Sequence, residues 1–418
     1  MSTLSRRSFL AAAVVSGTAA QAVKPVRIGM VGVGNRGTSL LRDLLSMPGV
    51  EIPAVCDIKE ANLSRALGLV EKARGKRPDG YSNGPEDYRR LVDRKDLDAV
   101  ITATYWDTHT PISVAVMKAG KYAAVEVPTS QTVDECWQLV ETSEKTGMPC
   151  MMLENVCYFR NVLLILNMIR QGVFGEIIHC EGGYQHFVRS FLPDGSLTWR
   201  GEHAARSNGN NYPTHPIGPI AWWANINRGD RFTRLTSMSS KSLGINHQFA
   251  GKFGPDHPNA KRRYSQGDVN TTMIASENGV TVTLNYNIQS PRPYDLAFKL
   301  QGTKGIYSGT LDKIYLEGIE PENWQAIEPY YEKYEHPLWK KHGRTAAGYG
   351  HSGGDYITML QFIEAVRNQT PPPIDVYDSV TWSAIVPLSA ASVAAKSAPV
   401  DFPDFTRGKW KTAKPVEV

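Results

Sequence analysis

The stretch that decides the fold is Val26-Arg27-Ile28-Gly29-Met30-Val31-Gly32-Val33-Gly34-Asn35-Arg36-Gly37. Its first half is an apolar run, its second half has the spacing Gly-x-Gly-x-x-Gly, and Thr38 to Leu45 follows with the pattern of a helix. A strand, a glycine turn and a helix in this order are typical of a dinucleotide-binding βαβ unit, because the glycines allow a tight turn and let a pyrophosphate approach the helix N-terminus. A coincidental glycine turn is the competing interpretation.

An acidic residue lies where this motif needs one. The second apolar run, Val50 to Cys56, is followed directly by Asp57. Its carboxylate would accept hydrogen bonds from an adenosine ribose and repel a 2′-phosphate, so we predict NAD rather than NADP. The turn and this acid supply the predicted cofactor contacts, although solvated turn positions would also explain the two polar residues inside the turn. The contacts are Gly32, Gly34, Asn35, Arg36, Gly37 and Asp57.

Apolar runs and helical segments continue to alternate as far as Leu153. This alternation predicts an α/β Rossmann domain over residues 23–153, with a parallel sheet and helices on both faces. The later predicted strands are Leu97–Thr102, Tyr122–Val125 and Pro149–Leu153, and the predicted helices after the first are Ala61–Ala73, Pro111–Ala119 and Val133–Thr146, with a loop at Gly75–Pro85.

The pattern changes after Leu153. Strands that follow one another without helices are typical of an antiparallel sheet. We therefore predict an α+β domain over residues 154–418 with a mostly antiparallel open sheet. We expect this domain to bind the substrate and to form the contacts of any oligomer, and its late helices to pack back on the Rossmann domain. Its predicted segments are helix Val156–Gln171, strands Gly175–Cys180, Arg234–Leu243, Thr271–Ile274, Val280–Asn287 and Ala297–Leu300, loops Ser190–Tyr212, Asn246–Gly267 and Gly318–Gly350, and late helices Asp355–Asn368 and Asp378–Ala395.

Length and composition agree with two soluble domains. The 418 residues are 41% hydrophobic and 21% charged, and 46 basic against 41 acidic residues give a formal net charge of +5 without a long block of one sign. The basic residues of nucleic-acid binders cluster, so we expect no nucleic-acid partner. The five cysteines show neither a CxxC pair nor a metal-ligand spacing, so we expect buried free thiols and no metal site.

The N-terminus has the pattern of an export signal. Ser5-Arg6-Arg7-Ser8-Phe9-Leu10 contains a twin-arginine pair, and the short apolar stretch that follows ends in Ala20-Gln21-Ala22. We predict that residues 1–22 are a cleaved signal for the twin-arginine export machinery, which makes the mature protein periplasmic or secreted. The stretch is too short for a stable membrane anchor, and a frayed N-terminal helix is the alternative.

Polar side chains follow the later strands of the predicted parallel sheet. Ligands of open α/β sheets bind at the carboxyl ends of the strands. We therefore predict further cofactor contacts at these ends, although a structural role would also explain each of them. They are Trp106, Asp107, Thr108, His109, Glu126, Val127 and Asn155.

The two halves together resemble the glucose-fructose oxidoreductase / inositol dehydrogenase superfamily. Dehydrogenases of that superfamily carry Glu-Lys-Pro after the fourth strand, and the lysine reaches the hydroxyl that is oxidised. Here the tripeptide is Glu126-Val127-Pro128. Valine has no charge and donates no side-chain hydrogen bond, so this departure argues against a plain dehydrogenase. The resemblance also implies a possible homo-oligomer, since sheets of this superfamily often pair.

Motifs further along the chain are similar to those of glycoside hydrolase family 109, the NAD-dependent glycosidases. The similarity covers essentially all of the chain beyond the predicted signal. The motifs are Leu153-Glu154-Asn155-Val156-Cys157-Tyr158, Gly182-Gly183-Tyr184-Gln185-His186, Tyr212-Pro213-Thr214-His215, Asp401-Phe402-Pro403-Asp404-Phe405 and Gly408-Lys409-Trp410.

This resemblance implies a carbohydrate substrate and release of α-linked N-acetylgalactosamine, the best-known activity of the family. It implies a route in which NAD+ transiently oxidises the sugar C3 hydroxyl, a base removes the C2 proton, the aglycone leaves C1, water adds and C3 is reduced again. By motif position Tyr212 would also contact the cofactor. The implied sugar contacts are Tyr184, Arg200, Tyr212, Pro213, Thr214, His215 and Tyr294.

That route needs proton carriers near the sugar carbons, and no carboxylate pair for ordinary glycoside hydrolysis stands out. An unperturbed imidazole titrates at ~6.5, so a histidine at position 215, just before the predicted helix Ile217–Ile226, can accept and return protons. Tyr184 would need its pKa lowered from ~10, and Arg200 is the candidate source of positive potential. A capped helix start and a strand edge are the structural alternatives. The predicted catalytic residues are Glu154, Tyr184, Tyr212 and His215.

Two other functions compete with this one. An exported sugar oxidoreductase that keeps its nicotinamide cofactor would have the same fold and signal, but Val127 in place of lysine argues against it. A non-catalytic sugar-binding protein with structural NAD is the second alternative. The density of aromatic and polar residues in the implied sugar site argues against that one.

Overall fold

The computed structural model describes residues 24–188, 194–319 and 321–418. The predicted export signal at residues 1–22 therefore lies outside the described residues. Within the described ranges, fifteen strands form two sheets, one in each half of the chain.

The first half is a parallel sheet with helices between its strands. In the described part of this half, six strands pair in the order β3-β2-β1-β4-β5-β6, every pair parallel. The strand order reverses between β1 and β4, so the crevice for a ligand lies at the carboxyl ends of these two strands. The elements are β1 (Val26–Val31), α1 (Asn35–Ser46), β2 (Val50–Cys56), α2 (Glu60–Arg74), β3 (Asp79–Tyr81), α3 (Tyr88–Val92), β4 (Ala99–Thr102), α4 (Trp106–Lys118), β5 (Tyr122–Val125), α5 (Val133–Thr146) and β6 (Cys150–Met152).

The second half is built on a larger, mixed sheet. Its described strands are ordered β14-β13-β12-β11-β7-β10-β9-β8-β15, and all pairs are antiparallel except β7 with β10. The elements are α6 (Arg160–Arg170), β7 (Ile177–Gln185), α7 (Trp199–Arg206), α8 (Thr214–Trp223), β8 (Phe232–Ser239), α9 (Gly244–Phe253), α10 (Pro258–Lys261), β9 (Asn270–Ser276), β10 (Thr281–Asn287), β11 (Lys299–Gly302), β12 (Gly305–Ser308), β13 (Lys313–Leu316), β14 (Gln325–Ala326), α11 (Glu328–Tyr334), α12 (Pro337–Ala346), α13 (Gly354–Asn368), α14 (Val376–Ala394) and β15 (Val400–Asp401). The predicted fold class, a Rossmann domain followed by a mostly antiparallel α+β domain, is confirmed.

Local chemistry explains why these elements form. All four residues of β4 are buried, as in a central strand covered by helices on both faces. Helix α5 begins with a capping box in which Thr132 and Glu135 bond each other's backbone amides, and it ends at Gly147 in the left-handed conformation. These start and stop signals account for the agreement of its bounds with the sequence prediction.

Several predicted boundaries are wrong. The predicted loops Ser190–Tyr212, Asn246–Gly267 and Gly318–Gly350 contain short helices, α7 and α9 to α12, because their many glycine, asparagine and proline residues cap and start helices as well as turns. The predicted helix Val156–Gln171 is a 3₁₀ turn at Asn155–Tyr158 followed by α6, and the extended Phe159 separates the two. Helix α4 begins five residues before Pro111, and the predicted loop Gly75–Pro85 contains β3.

Helix α14 joins the two halves through a row of serines. The hydroxyl of Ser379 accepts from the Met152 amide at 3.0 Å, and that of Ser383 accepts from the Thr129 amide at 3.0 Å. Further along the helix, Ser392 accepts from the Ser237 amide of β8 at 2.8 Å. Small hydroxyl side chains let the helix approach both sheets and satisfy backbone donors that burial would otherwise leave unpaired.

The described residues contain no disulfide, no candidate metal cluster and no candidate membrane-spanning helix. The five cysteines all lie in the described ranges and are buried free thiols, as predicted. No described helix is long and apolar enough to cross a membrane. The described residues also hold no group of three or more His, Cys, Asp or Glu side chains arranged as a metal site.

Candidate active site

The glycine turn between β1 and α1 is shaped for a close backbone approach. Gly32 has a φ of +84°, and a Cβ on it would lie 2.6 Å from the carbonyl oxygen of Ala103. A Cβ on Gly37 would lie 2.0 Å from the carbonyl oxygen of Gly32, whereas one on Gly34 would meet no atom closer than 3.9 Å. The turn therefore packs tightly below and leaves open space above Gly34, at the N-terminus of α1. This is the cradle that a pyrophosphate requires.

Asp57 closes the turn from the neighbouring strand. One carboxylate oxygen accepts from the Val33 amide at 2.8 Å, and the other accepts from the Lys59 amide at 2.8 Å and from the Asn62 amide side chain at 3.3 Å. A carboxylate has about four acceptor positions, so one remains for a further donor. The predicted ribose-binding acid is thus buried, oriented and able to accept one more hydrogen bond.

The strand-end residues divide into exposed and buried groups. Asp107 is exposed and Thr108 half-buried in the first turn of α4, where the Thr108 hydroxyl bonds back to Thr104. His109 is buried, its ring nitrogens lying 2.7 Å from the Pro128 carbonyl and 3.2 Å from that of Thr104. Burial lowers the His109 pKa. A ring with one N–H donates to one of the two carbonyls, and the Pro128 carbonyl after β5 offers the shorter contact.

Trp106 and Val127 form the apolar part of this edge. The Trp106 indole donates to the Val127 carbonyl at 3.1 Å, and both side chains are buried. Because Val127 occupies the position of the superfamily's lysine, this edge carries no ammonium group there. Proton transfer at this site must come from other side chains.

Arg36 is held inside the protein. Its Nε donates to Glu126 at 2.6 Å, and its two terminal nitrogens donate to the two oxygens of Asp355 at 2.8 Å each. Burial alone would lower the Arg36 pKa, but the Glu126 and Asp355 carboxylates outweigh it and raise that pKa. The guanidinium therefore stays charged and fixed between α1, the end of β5 and the start of α13.

His351 completes this ion network from the other side. Its Nδ1 lies 2.8 Å from Asp355, and this hydrogen bond raises the His351 pKa. Burial would raise the Asp355 pKa, but the hydrogen bonds from Arg36 and His351 outweigh it, so this pKa lies well below its usual range. Asp355 therefore stays ionised across the physiological range.

We expect His351→Gln to destabilise the protein at mildly acidic pH and to have no effect at alkaline pH. A group whose pKa is raised by folding contributes stability fully below its unfolded pKa, here ~6.5, and loses it as the pH rises through the folded value. Urea unfolding of both proteins at about pH 5.5 and about pH 9 measures this difference. An equal destabilisation at both pH values would contradict it.

Asn155 presents an acceptor without a donor. Its side-chain nitrogen donates to Asp355 at 2.7 Å. Its side chain is 2% exposed, and its Oδ1 finds no hydrogen-bond partner among the described residues. A buried unpaired oxygen costs about 1–3 kcal/mol, so its presence at the carboxyl end of β6 indicates a place for a ligand donor.

Glu154 and His215 form a dyad at the junction of the two halves. His215 Nδ1 lies 2.7 and 2.9 Å from the two Glu154 oxygens, and Glu154 is fully buried. The carboxylate only accepts, so Nδ1 carries a hydrogen, and in the neutral form of the ring Nε2 has the lone pair. His215 lies in the first turn of α8, which begins at Thr214 rather than at the predicted Ile217. A buried acid orienting a histidine is the arrangement of a general base.

Aromatic rings surround the exposed side of His215. The ring of Tyr184 lies 4.6 Å from that of Tyr212 and 5.3 Å from that of His215, and Tyr212 lies 4.9 Å from His215. Tyr294 is half-exposed at the rim, 6.3 Å from Tyr184. Tyr212 also contacts Trp106 at 6.0 Å, which brings the predicted sugar and cofactor residues together in one cleft.

Arg200 lies over this aromatic group. Its guanidinium carbon is 5.1 Å from the Trp106 ring, 4.8 Å from the Trp199 ring and 5.3 Å from the Tyr212 ring. A cation over aromatic faces at this distance is favourable by about 0.5–2 kcal/mol. Arg200 therefore supplies a positive charge between the two sets of predicted contacts. Pro213 and Thr214, in contrast, start α8 and are buried.

Arg200 acts on the Tyr184 pKa in the expected direction, but it does not decide the net shift. Burial raises the pKa of Tyr184, and the opposing effect of Arg200 is smaller. Burial also raises the pKa of Tyr212 well above its ordinary value. Both phenols are therefore neutral hydrogen-bond donors at neutral pH, and the dyad is the part of the site suited to accept a proton.

Sequence patterns missed four residues of this cleft. Trp199 and His203 pack on Trp106 at ring distances of 4.7 and 5.0 Å, and His186 lies 3.3 Å from the Tyr184 hydroxyl. Asp355 is the fourth. His186 ends the motif that begins at Gly182, and Asp355 begins a predicted helix, but no sequence pattern indicated the role of either residue.

Comparison with known proteins identifies the family. The model described as "Oxidoreductase family, NAD-binding Rossmann fold" matches residues 26–154, and "Glycosyl hydrolase 109, C-terminal domain" matches residues 158–412. A "Glycosyl hydrolase family 109 protein" of Stenotrophomonas maltophilia is 40% identical, with 100% of this chain and 98% of that one covered.

The chain belongs to glycoside hydrolase family 109. The "Alpha-N-acetylgalactosaminidase" of Tannerella forsythia is 41% identical over 93% of this chain and 88% of its own length. This family 109 protein is therefore a glycoside hydrolase that acts on carbohydrate, and its Rossmann half binds a nicotinamide cofactor.

Solved structures agree with the fold. An oxidoreductase domain protein from Kribbella flavida has a TM-score of 0.71 at 17% identity, covering 91% of this chain and 100% of that one. A levoglucosan dehydrogenase in complex with NADH has a TM-score of 0.70 at 19% identity, with 91% and 100% covered. At such low identity these likenesses speak for the fold alone.

Proposed function

We propose that this enzyme releases α-linked N-acetylgalactosamine by transient oxidation and elimination, with NAD as its cofactor and the Glu154–His215 dyad as its general base. The observation that carries this proposal is the dyad itself, buried on one side and facing an aromatic cleft beside the strand ends on the other. The name of the Tannerella forsythia relative supports the choice of sugar.

The residues present fit a nicotinamide dinucleotide. The cradle above Gly34 would hold the pyrophosphate, Asp57 the adenosine ribose, and the unpaired Asn155 oxygen a further donor group. A nicotinamide held there would supply reversible hydride transfer to and from a sugar carbon, with no net oxidant consumed. Trp106 with Val127 forms the apolar wall of this part of the cleft.

The side chains around the cleft divide the work of binding and proton transfer. His215 accepts a proton at Nε2, and Glu154 stabilises the imidazolium that results. Tyr184 and Tyr212 stay neutral and donate hydrogen bonds to sugar oxygens. Arg200 favours negative charge that develops on those oxygens during elimination. Tyr294 at the rim contacts the sugar face or the aglycone.

Hydrolysis of p-nitrophenyl α-N-acetylgalactosaminide by the purified protein, with no NAD added, tests this function. We expect steady release of nitrophenol without net formation of NADH, since the hydride returns to the sugar. Net hydride transfer to a second sugar would instead indicate an oxidoreductase. No turnover on a broad panel of glycosides would indicate a sugar-binding protein.

The preference for NAD rests on Asp57. We expect Asp57→Asn to weaken NAD+ binding about tenfold while NADP+ binding changes less, because the carboxylate accepts a ribose hydroxyl and repels a 2′-phosphate. Equilibrium dialysis of both proteins against each dinucleotide measures the change. Tighter binding of NADP+ than of NAD+ by the native protein would reject the assignment.

We further propose export by the twin-arginine route to the periplasm or the medium. The pattern of residues 1–22 supports it, and so does the chemistry, because a redox-neutral cycle needs no cofactor supply outside the cytoplasm. Cell fractionation of the producing organism tests the location. Recovery of the full-length chain from the cytoplasm alone would reject it.

A further inference from the structure

Asp355 is the centre of the ion network and lies far along the chain from every predicted cofactor residue. Its carboxylate accepts four hydrogen bonds, two from Arg36 and one each from Asn155 and His351. It is 1% exposed and stands in the first turn of α13, where the helix N-terminus favours a negative charge. Two of its partners, Arg36 and Asn155, are predicted cofactor contacts.

The bond to Asn155 decides which way that amide faces. A carboxylate only accepts, so the Asn155 nitrogen must turn toward Asp355 and the oxygen must turn away. That oxygen is one of the buried side-chain atoms that have no hydrogen-bond partner among the described residues. Without Asp355, either orientation of the amide would be available, and the acceptor would no longer be fixed.

Arg36 is oriented by the same carboxylate. With two nitrogens on Asp355 and the third on Glu126, all three of its guanidinium nitrogens donate to carboxylates.

We propose that Asp355 is a positioning residue of the cofactor site, which holds Asn155 so that its oxygen accepts a hydroxyl or amide hydrogen of the bound nicotinamide dinucleotide. This inference rests on the nicotinamide site of the proposed function. The charged and titratable side chains around Asp355 are those of Arg36, Asp43, Glu126 and His351.

A second cluster in the same protein has the same chemistry, but the oxygen of its asparagine is paired. Asp378, in the first turn of α14, accepts from Arg228 at 2.7 Å and from the Asn227 side chain at 3.2 Å. The Asn227 oxygen accepts from the Thr381 hydroxyl at 3.4 Å, and the unpartnered oxygen of this cluster is Asp378 Oδ2. Both groups of the Asn227 amide are bonded inside the cluster, so Asn227 and Asp378 provide matched controls for a purely structural role.

The test compares dinucleotide binding and thermal stability in two matched pairs of variants. Equilibrium dialysis of full-length protein against labelled NAD+ gives the dissociation constant, and thermal unfolding without NAD+ gives Tm. We expect Asp355→Asn and Asn155→Ala each to weaken NAD+ binding about tenfold or more, because each variant loses one buried or charged hydrogen bond to the ligand or to the residue that positions it. Asp378→Asn and Asn227→Ala should lower Tm and leave NAD+ binding within about twofold.

The double variant Asp355→Asn with Asn155→Ala adds a readout that instability cannot imitate. If Asp355 acts through Asn155, the NAD+ dissociation constant of the double variant does not exceed the larger of the two single-variant values. Unchanged NAD+ binding in Asn155→Ala, which keeps the Arg36–Asp355 pair, would overturn the proposal even if Asp355→Asn does not fold. Equal losses in Asp355→Asn and Asp378→Asn would also overturn it. Absence of NAD+ and NADP+ binding by the native protein would instead overturn the proposed function.

Discussion

Replacing His215 with asparagine will lower kcat for glycoside hydrolysis by about a thousandfold, within the range for loss of a positioned general base. Asparagine keeps a hydrogen-bonding side chain of similar reach beside Glu154 but has no lone pair suited to take a proton. Dinucleotide binding should stay within about twofold of native, because His215 bonds Glu154 rather than any residue of the glycine turn. Exchange of the sugar C2 hydrogen with solvent deuterium should slow with kcat.

His336 supplies the control for this substitution. It is also buried, and its Nδ1 accepts from the Leu338 amide at 3.3 Å to cap α12. His336→Asn should therefore lower stability and leave kcat unchanged. If C2-hydrogen exchange and kcat in His215→Asn stay within tenfold of native, the dyad is not the base.

The cofactor half of the site could be predicted from sequence because its signals are local. The glycine spacing from Gly32 to Gly37 and the acid at Asp57 lie within one βαβ unit, and the Asp57 carboxylate accepts from the Val33 amide of that turn. The strands Val50–Cys56 and Tyr122–Val125 have the predicted bounds, since buried parallel strands are continuous apolar runs ended by polar residues.

The ion network could not be predicted, because its members meet only through tertiary packing. Asp355 follows Arg36 by 319 positions, and α13 brings it onto α1. In sequence, Asp355 is an ordinary acidic residue in the first turn of a helix, which the helix dipole alone explains. Nothing local distinguishes it from Asp378, which also lies in the first turn of its helix, α14.

The state of Tyr184 was also beyond sequence reasoning. A positive neighbour can be named from a motif, but the burial that opposes it depends on rings contributed by Tyr212 and Tyr294. In the folded protein burial is the larger effect, and the Tyr184 pKa rises. Of the predicted catalytic residues, this outcome leaves the dyad as the expected base.

Glu154→Gln should lower kcat by about a hundredfold to ten thousandfold, the range for disturbing the acid that orients a catalytic histidine. Glu154 Oε1 accepts from the Val156 amide at 3.1 Å, so the glutamine oxygen stays at that atom. The glutamine nitrogen then takes the place of Oε2, 2.9 Å from His215 Nδ1, and the Nδ1 hydrogen keeps only the Oε1 acceptor at 2.7 Å. The neutral amide no longer stabilises the imidazolium that forms when Nε2 takes a proton.

Kinetics of this variant can separate it from general damage. KM and dinucleotide binding should change little, since Glu154 is fully buried behind His215. Glu335→Gln is the matched control, because Glu335 is a buried acid that bonds Arg160 at 2.7 Å outside the cleft. It should reduce stability without reducing kcat. A Glu154→Gln kcat within tenfold of native would contradict this role of the carboxylate.

The double variant His215→Asn with Glu154→Gln decides whether Glu154 acts only through His215. If it does, the double variant is no slower than His215→Asn alone, because the carboxylate then contributes only by orienting and stabilising the imidazole. If Glu154 carries a proton of its own, the two losses multiply. Full burial of Glu154, with both oxygens on Nδ1 and one also on a backbone amide, leaves no path from its carboxylate to the cleft except through the imidazole, so we expect the first result.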